Sequence, residues 1–390
     1  MKKTIESYDL KNKTVIIRAD LNVPIKEGKI KDNSRIVASV KTIKYALDQG
    51  AKVVVLSHLG RVKNEIDKTK NGLRPVYEEL NKLLDGKLRF TAFTRGAKVE
   101  AMVKDMPYGQ AILLENTRFE DIEGEKESKN NPELAESWSK LGEIFINDAF
   151  GTLHREHASN VGLAKLLPSG LGFLVVKELN ELDKLDNPER PFAIIMGGAK
   201  VSDKLGVIKS LITKADKMLI GGGMAFTFLK AKGVEIGKSL VEDEYLEYCK
   251  ELLDNYGDKI ILPIDFKAAH DTEDVMPMIT DSIGMYQMGL DIGPKTIKLF
   301  REELEGVKTC FWNGPLGMYE NPNYQEGTKM VLEYISKSGM YSILGGGDIV
   351  TCANQFGYSD NISFLSTGGG ASLEYLENKD LPGLRYISEE

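Results

Sequence analysis

The sequence lacks the features that would place the chain in a membrane or in a disulfide-rich fold. It has only three cysteines, Cys249, Cys310 and Cys352, and none of them forms a CxxC pair. No apolar run approaches the roughly 18 residues of a membrane-spanning helix. Residues 1–7 turn polar and acidic without the apolar core of a signal peptide. We therefore expect buried thiols in a reducing compartment and a soluble, cytoplasmic protein.

Net charge, composition and length narrow the possible class of protein further. The formal net charge of −7 argues against nucleic acid or an anionic membrane as the main partner. A hydrophobic content of 42% with 28% charged residues is typical of a globular protein. The length of 390 residues predicts two or three domains.

Short apolar runs alternate with helical patterns from the start of the chain, which predicts a parallel α/β fold. The first helical pattern follows Ser34, and its buried side would carry Ile36, Val37, Val40, Ile43 and Leu47. A later pattern, Phe173 to Leu185, predicts a connecting helix, because the residues that end the strands change in type after it.

Four apolar runs of the first half end in polar clusters that contain an arginine. These arginines are Arg18, Arg61, Arg118 and Arg155, and Arg35 follows at the start of the first helix. The carboxyl ends of parallel strands share one edge of a sheet, where ligands bind, so these side chains could converge. The planar guanidinium suits carboxylate and phosphate, which predicts a small, multiply anionic ligand. Alternatively, each arginine is a solvated charge or a structural ion pair.

Other polar residues of this half have simpler interpretations. His58 and His154 could donate hydrogen bonds to the ligand or be structural, and His157 and His270 are expected to be structural. The acidic and basic stretch 121–129 is expected to be a solvated loop.

Five of the six expected strand ends in the second half carry glycine, and the run 260–262 leads to Pro263 instead. The glycines lie at 197–198, 221–223, 314 and 317, 345–347, and 368–370. Bare backbone can form an anion nest and leaves room for a flat ring, although a glycine turn also serves tight packing. Asp348 follows one of these turns and is the best candidate ligand for Mg²⁺, which takes few protein carboxylates beside phosphate oxygens.

The stretch 191–204 combines these features. An apolar run ends in Gly197 and Gly198, and a helical pattern follows, whose free N–H groups could bind a phosphate. Lys200 and Lys204 are four apart and would share one face of its first turn. The stretch is not a Walker A loop, and an ordinary turn is the alternative. The first half of the chain would thus bind a small anion, and the second half would bind a nucleotide with Mg²⁺. Together they suggest phosphoryl transfer across a cleft.

These residues resemble the phosphoglycerate kinase family over essentially the whole chain. The motifs that carry the resemblance are RADLNVP (18–24), SHLGR (57–61), ENTRF (115–119), DAFGTLHREHAS (148–159), GGAKVSDK (197–204), GGGMAFTFL (221–229), LPIDF (262–266), MGLDIGP (288–294), WNGPLGMYE (312–320), GGGD (345–348) and STGGGASLE (366–374). Each motif alone is weak, whereas their order and spacing are specific.

The resemblance implies two doubly wound, Rossmann-like α/β domains with the active site in the cleft between them. Residues 1–172 would bind phosphoglycerate, with residues 371–390 packing back on them. Residues 173–186 would form the connector helix, and residues 187–370 would bind the nucleotide. The implied reaction is the reversible, Mg²⁺-dependent transfer of phosphate between 1,3-bisphosphoglycerate and ADP, which gives 3-phosphoglycerate and ATP in glycolysis. A monomer with hinge-bending closure is implied.

The same resemblance implies the residues of the site. The phosphoglycerate site would comprise Asp20, Asn22, Arg35, His58, Arg61, Arg118, His154 and Arg155. The nucleotide site would comprise Ala199, Lys200, Lys204, Gly221, Gly222, Gly223, Gly289, Asn313, Glu320, Gly346, Gly347, Asp348 and Ile349, with Asp348 as the metal ligand. Both nucleophiles, a phosphate oxygen and a carboxylate, are ionised at pH 7, so no general base is required. Arg35 and Lys200 would be the catalytic cations.

Several positions depart from the family pattern without removing a residue assigned to the chemistry. Ile349 stands where a Ser or Thr is usual, so a hydroxyl near the phosphates is missing. Leu153 and Glu156 replace small residues, and Glu156 could weaken the anion site beside Arg155. Val62 replaces a usual Pro, and Val176 replaces a usual Glu in the connector helix. We expect an active enzyme.

Two other classes of protein are alternatives to this interpretation. A dinucleotide-dependent dehydrogenase would carry G-x-G-x-x-G after a strand, with an acidic residue about 20 positions on, and the sequence lacks this pattern. A non-catalytic nucleotide-binding protein that kept the fold would be favoured by loss of Lys200 or Arg35, and both are present.

Overall fold

The computed structural model describes residues 1–273 and 276–390, which divide into two compact units. The first unit contains Met1–Asn180 and Asp380–Glu390, and the second contains Glu181–Lys379. In chain order the strands are β1 (Thr14–Ala19), β2 (Ile25–Lys26), β3 (Lys29–Ile30), β4 (Lys52–Leu56), β5 (Leu88–Phe90), β6 (Ala111–Leu113), β7 (Ile144–Asp148), β8 (Ser169–Leu171), β9 (Phe192–Met196), β10 (Lys217–Ile220), β11 (Ile260–Ile261), β12 (Phe266–Ala269), β13 (Met278–Thr280), β14 (Met288–Ile292), β15 (Thr309–Asn313), β16 (Tyr341–Gly345) and β17 (Phe364–Ser366).

Helices follow most of the strands, as the alternating pattern predicts. In chain order they are α1 (Ser34–Asp48), α2 (Glu65–Lys70), α3 (Arg74–Leu83), α4 (Ala97–Asp105), α5 (Pro132–Ser139), α6 (Leu163–Leu166), α7 (Phe173–Asp183), α8 (Leu205–Ile212), α9 (Ala225–Ala231), α10 (Leu246–Tyr256), α11 (Pro294–Glu303), α12 (Glu326–Ser338), α13 (Gly347–Gln355), α14 (Gly370–Asn378) and α15 (Pro382–Arg385). None of the helices in the described ranges is long and apolar enough to cross a membrane.

The first unit is built on a six-stranded parallel sheet in the order β5-β6-β4-β1-β7-β8. Its central strands are continuous apolar runs, which is typical of a parallel sheet covered on both faces. Helix α1 covers one face, and its Ile36 and Ile43 join β1 in one buried cluster. Val37 is 49% exposed, so its predicted place on the buried side is wrong. It follows Ile36 by one residue, which turns it about 100° around the helix.

The second unit repeats this architecture with a six-stranded parallel sheet in the order β11-β10-β9-β15-β16-β17. Strands β12, β13 and β14 form a separate antiparallel sheet. The core around Trp312 and Phe300 also contains Cys310 and Cys352. All three cysteines are buried and unpaired, as predicted.

The division between the units differs in detail from the one that the sequence suggests. It falls within helix α7, between Asn180 and Glu181. Helix α14 packs against α8, where the bare backbone of Gly206 leaves room for the Glu377 carboxylate. Only residues 380–390 therefore return to the first unit, where the Gly383 N–H donates to the Leu153 carbonyl at 2.8 Å.

Candidate active site

The strands that end in arginine clusters are neighbours in the first sheet. They are β6, β4, β1 and β7, in that spatial order, and all run parallel. Their carboxyl ends therefore share one edge, as predicted. This edge collects the loops that carry the residues expected to bind a phosphoglycerate.

Asn116 joins the loop that follows β6 to the segment between β4 and α3, and no role is predicted for it from the sequence. Its amide nitrogen donates to the carbonyls of Leu59 at 2.7 Å and Asn71 at 2.8 Å. Its amide oxygen accepts from the Arg118 N–H at 3.0 Å. The signal in the sequence is its place in the polar cluster that follows an apolar run, within the ENTRF motif. The side chain fixes the backbone beside His58, Arg61 and Arg118.

Arg35 lies at the start of α1, and its side chain is held by the loop that follows β1. Its Nη1 lies 3.3 Å from Oδ2 of Asp20 and donates to the Asn22 carbonyl at 3.1 Å. Asn22 in turn accepts a hydrogen bond from the Gly60 N–H through its Oδ1 at 2.9 Å. The Arg35 side chain remains 32% exposed, so its charge is both oriented and accessible.

The charges at this edge repel one another and leave buried polar atoms without partners. Burial, together with the positive charges of Arg155 and Arg61, lowers the pKa of Arg118. Within the described residues, Arg118 Nε, Thr117 Oγ1 and His154 Nδ1 are buried without a hydrogen bond. Such a group costs about 1–3 kcal/mol. A bound anion would accept hydrogen bonds from the unpaired donors and reduce the repulsion between the positive charges. Arg61 and Arg155 are exposed, so their charges are accessible to such an anion.

Arg18 does not belong with these exposed charges, which corrects its expected convergence on the ligand. It is fully buried, and its nitrogens are used inside the protein. Nε donates to Ser159 Oγ at 2.8 Å, Nη1 to the Ala19 carbonyl at 2.5 Å, and Nη2 lies 3.0 Å from His58 Nδ1. The burial of β1 on both faces explains why this side chain turns inward.

The stretch 121–129 also departs from its predicted role as a solvated loop. Glu127 is fully buried and accepts from both the N–H and the hydroxyl of Ser159. Asp121 is buried as well and accepts from Ser128 Oγ at 2.6 Å. Burial raises the pKa of Glu127, whereas the Arg18 charge opposes that shift. A run of alternating charges did not reveal that two of its carboxylates face inward.

The buried histidines of this edge are neutral at pH 7. Burial and the Arg18 charge hold the pKa of His58 well below its usual range. The same causes lower the pKa of His157 to about 3. Burial also lowers the pKa of His154, whose Nε2 lies 3.3 Å from Arg155 Nε.

The second unit contains a cavity of about 380 Å³ at the carboxyl edge of its sheet. This volume lies within the range of small-molecule sites. The predicted site residues in its lining are Ala199, Gly222, Gly223, Gly289, Glu320 and Asp348. Lys238 and Tyr319 also line it and were not predicted. The other predicted residues, outside this lining, are Lys200, Lys204, Gly221, Asn313, Gly346, Gly347 and Ile349.

Two glycines of the cavity are required by close packing. Gly222 has φ +65°, and a Cβ there would lie 2.7 Å from the backbone N and O of Gly198. A Cβ at Gly289 would lie 2.2 Å from the ring of Phe226. Tight packing therefore explains these glycines without a ligand. Both glycines also belong to the lining of the cavity.

The lysines of the GGAK stretch differ in environment. A 3₁₀ turn, Ser202–Lys204, precedes α8, so the expected shared helical face of Lys200 and Lys204 is wrong. Lys200 is exposed, whereas Lys204 is half-buried and donates to Asn313 Oδ1. Burial lowers the pKa of Lys204 to about 8. The Asn313 amide also donates to the Gly345 carbonyl, which links the ends of β15 and β16.

Helix α13 presents its N-terminal turn beside the cavity. Asp348 is exposed in this turn, and its Oδ1 lies 3.3 Å from the hydroxyl of Tyr319. The side chain of Ile349 is fully buried in the core of the unit, so only its backbone can face a ligand. Within the described ranges, no group of three or more His, Cys, Asp or Glu side chains could hold a metal ion.

Three of the other departures from the family pattern differ in their surroundings. Val62 is buried, and Leu153 packs in the core beside Gly383 of the returning segment. Glu156 is exposed, and its charge raises the pKa of Arg385, although the Asp380 hydrogen bond is the larger cause.

An α/β protein with a basic sheet edge in one unit and a glycine-lined cavity in the other has the features of a nucleotide-dependent phosphotransferase. Comparisons with known proteins identify the family. The family model described as phosphoglycerate kinase matches residues 5–379. A phosphoglycerate kinase of Staphylococcus aureus strain bovine RF122 / ET3-1 is 51% identical over 394 residues, which cover 100% of each chain.

Solved structures agree with the sequence comparison. The phosphoglycerate kinase of Coxiella burnetii has a TM-score of 0.85 and 37% identity, and the match covers 99% of each chain. That of Pyrococcus horikoshii OT3 has a TM-score of 0.85 and 31% identity, over 99% of this chain and 98% of the other. The chain belongs to the phosphoglycerate kinase family. It is a kinase, and the comparisons give no support to a non-catalytic relative.

Proposed function

We propose that the arginine edge of the first unit binds phosphoglycerate and that the cavity of the second unit binds ADP or ATP. Phosphoryl transfer would run reversibly between 1,3-bisphosphoglycerate and ADP. The main support is the set of buried atoms without partners at Arg118 and His154, which lie on a basic edge whose charges repel one another. A small polyanion would supply the missing partners.

The phosphoglycerate site would use the residues of this edge in two ways. The exposed guanidinium groups of Arg61 and Arg155 would bind phosphate or carboxylate oxygens, together with Arg118. Asp20 and Asn22 would orient Arg35 through the contacts already described. His58 and His154 are neutral and would contribute hydrogen bonds rather than charge.

On the nucleotide side, the cavity would take the adenosine. Gly222, Gly223 and Gly289 of the lining would border it beside the adjacent Gly221, and Glu320, which is exposed in the lining, would reach the ribose. The backbone of Gly346, Gly347 and Ile349 begins α13, and its N–H groups would bind phosphate oxygens. Ala199 and the linked pair Lys204 and Asn313 would lie on the phosphate side.

The residues present fit Mg²⁺ bound mainly by the nucleotide. Asp348 is an exposed carboxylate in the cavity lining, and Mg²⁺ typically takes one or two protein carboxylates beside phosphate oxygens. Bound Mg²⁺ would neutralise part of the phosphate charge.

Catalysis would rest on position and charge. Lys200 and Arg35 would stabilise the negative charge of the transferring group, because preorganised cations act most strongly on charge in a water-poor site. Arg35 belongs to the first unit and Lys200 to the second. The proposal therefore includes closure of the units, which would also exclude water. A monomeric, cytoplasmic enzyme remains a prediction.

A coupled assay with 3-phosphoglycerate, ATP and Mg²⁺ tests this proposal. We expect turnover that requires all three, and we expect Lys200→Ala to lower kcat by roughly 10²–10³-fold. Its affinity for ADP should change much less, since Lys200 lies outside the cavity lining. Lys209→Ala, an exposed lysine on α8, is the matched control and should retain wild-type kcat. Equal and small effects of Lys200→Ala on kcat and ADP affinity would refute the assigned role.

A further inference from the structure

A chain of hydrogen bonds runs beneath the arginine edge through four buried side chains. Glu127, Ser159 and Arg18 are fully buried, and His58 is 8% exposed. The Ser159 hydroxyl bonds to Glu127 Oε1, and Arg18 Nε lies 2.8 Å from Ser159 Oγ. Arg18 Nη2 lies 3.0 Å from His58 Nδ1. The chain therefore ends on one ring nitrogen of a histidine at the proposed phosphoglycerate site.

Arg18 fixes the direction of both hydrogen bonds that it makes in this chain. A guanidinium group can only donate, so Ser159 Oγ and His58 Nδ1 must both accept from Arg18. The single hydroxyl proton of Ser159 then goes to the Glu127 carboxylate. Because burial and the Arg18 charge keep His58 neutral, its one ring proton lies on the other nitrogen, Nε2.

We propose that Arg18 is a positioning residue that holds His58 as the Nε2–H tautomer, so that the ring presents a hydrogen-bond donor to the anionic substrate. Glu127, acting through Ser159, holds the guanidinium in place. This inference rests on the proposed assignment of His58 to the phosphoglycerate site. The opposite tautomer would direct a lone pair at a carboxylate or phosphate and would repel it.

Histidine nitrogen spectroscopy tests the tautomer without reference to catalysis. The chain has four histidines, so ¹⁵N-histidine labelling gives few signals. The signals of His58 are those that disappear in the His58→Gln variant. At pH 7 the substrate-free wild-type protein should show an unprotonated Nδ1 and a protonated Nε2 at His58. A protonated Nδ1 would overturn the proposal.

Arg18→Lys tests whether Arg18 is the cause. The lysine keeps a positive charge near Glu127, but it lacks the fork that reaches Ser159 and His58 together. We expect a mixture of His58 tautomers and a KM for 3-phosphoglycerate raised roughly tenfold, the effect of losing one charge-assisted hydrogen bond. The KM for ATP should stay constant, and kcat should change much less. A wild-type tautomer and KM in this variant would overturn the positioning role.

Ser159→Ala provides a second route if Arg18→Lys fails to fold, because it breaks the chain and leaves both charges in place. The same rise in the KM for 3-phosphoglycerate is expected, in smaller degree, together with a detectable second tautomer. Ser128→Ala is the matched control, since Ser128 donates to a buried carboxylate of the same segment, Asp121, outside the chain. An equal KM rise in both serine variants would contradict the proposal.

His58→Ala separates this inference from the assignment beneath it. A raised KM for 3-phosphoglycerate supports the donor role of His58. An unchanged KM would overturn that role and the place of His58 in the site, whereas the tautomers measured in the wild-type protein and in Arg18→Lys would still report whether Arg18 fixes the ring.

Discussion

At the scale of single residues, Lys204 offers a prediction for nucleotide binding. Its pKa of about 8 lies below the ordinary 10.5, so the folded protein loses this charge at a lower pH than the unfolded chain does. Phosphate oxygens beside the amine would favour the charged form and restore the proton. We expect ADP binding at pH 9 to take up protons, measured by calorimetry in buffers of different ionisation enthalpy. Above pH 8 the affinity should fall by at most about tenfold per pH unit.

Lys204→Arg is the control, because arginine stays protonated in this range. If the variant binds ADP, its proton uptake at pH 9 should be smaller than that of the wild-type protein. Equal proton uptake in both would show that another group is responsible.

The residues that sequence reasoning misjudged are those whose surroundings come from distant segments. Arg18 directly follows an apolar run, whereas three polar residues separate Arg118 from the apolar run before it. Arg18 is buried because Ser159 and Glu127 arrive over that face of the sheet. Arg118 keeps an unpaired buried Nε because no described residue fills that place. The residue types predict an anion site, but only the packing shows which of them are buried with partners and which keep unpaired or exposed donors.

At the scale of elements, Asp148 caps the start of the helix in which the two units divide. It is fully buried at the end of β7, and its Oδ1 accepts from the Leu174 N–H of α7 at 2.9 Å. Burial raises its pKa from 3.8 to about 7. Since the folded pKa is the higher one, ionisation opposes folding. The penalty is absent below about pH 4, grows up to pH 7, and is complete above that.

Asp148→Asn should therefore raise Tm more at pH 8 than at pH 5, because the amide oxygen can still accept from the helix. The gain at pH 8 is at most on the order of 4 kcal/mol. Asp105→Asn, at the exposed end of α4, should show no such pH dependence. A Tm that falls equally at both pH values would mean that the carboxylate charge stabilises the helix.

The C-terminal segment 380–390 is a second element with a testable role. Its Gly383 N–H donates to the Leu153 carbonyl, and Lys3 N–H donates to the Ser388 carbonyl at 2.8 Å. Deleting residues 380–390 should destabilise the first unit and leave the second nearly unchanged. The two tryptophans, Trp138 and Trp312, lie buried in different units, so variants with a single tryptophan report each unit by fluorescence. Equal loss of stability in both units would contradict the prediction that the segment stabilises only the first unit.

At the scale of the whole molecule, the sequence predicted the architecture better than the boundaries. The alternation of apolar runs and helical patterns was sufficient for two parallel sheets, because buried parallel strands are short and continuously apolar. The start of the returning segment was placed at 371, since nothing in residues 371–379 shows that α14 packs on α8. Pairings between distant helices leave no local pattern, so such boundaries come from the structure.

The proposed division of ligands between the units leads to a prediction about their closure. Arg35 and Lys200 belong to different units, so their joint action on one phosphoryl group requires the units to approach. Small-angle X-ray scattering should show a smaller radius of gyration with 3-phosphoglycerate and a non-transferable ATP analogue together than with either alone. Lys200→Ala should bind both ligands and close less completely. If the radius of gyration with both ligands equals that with one, while the wild-type enzyme turns over, closure is not part of the reaction.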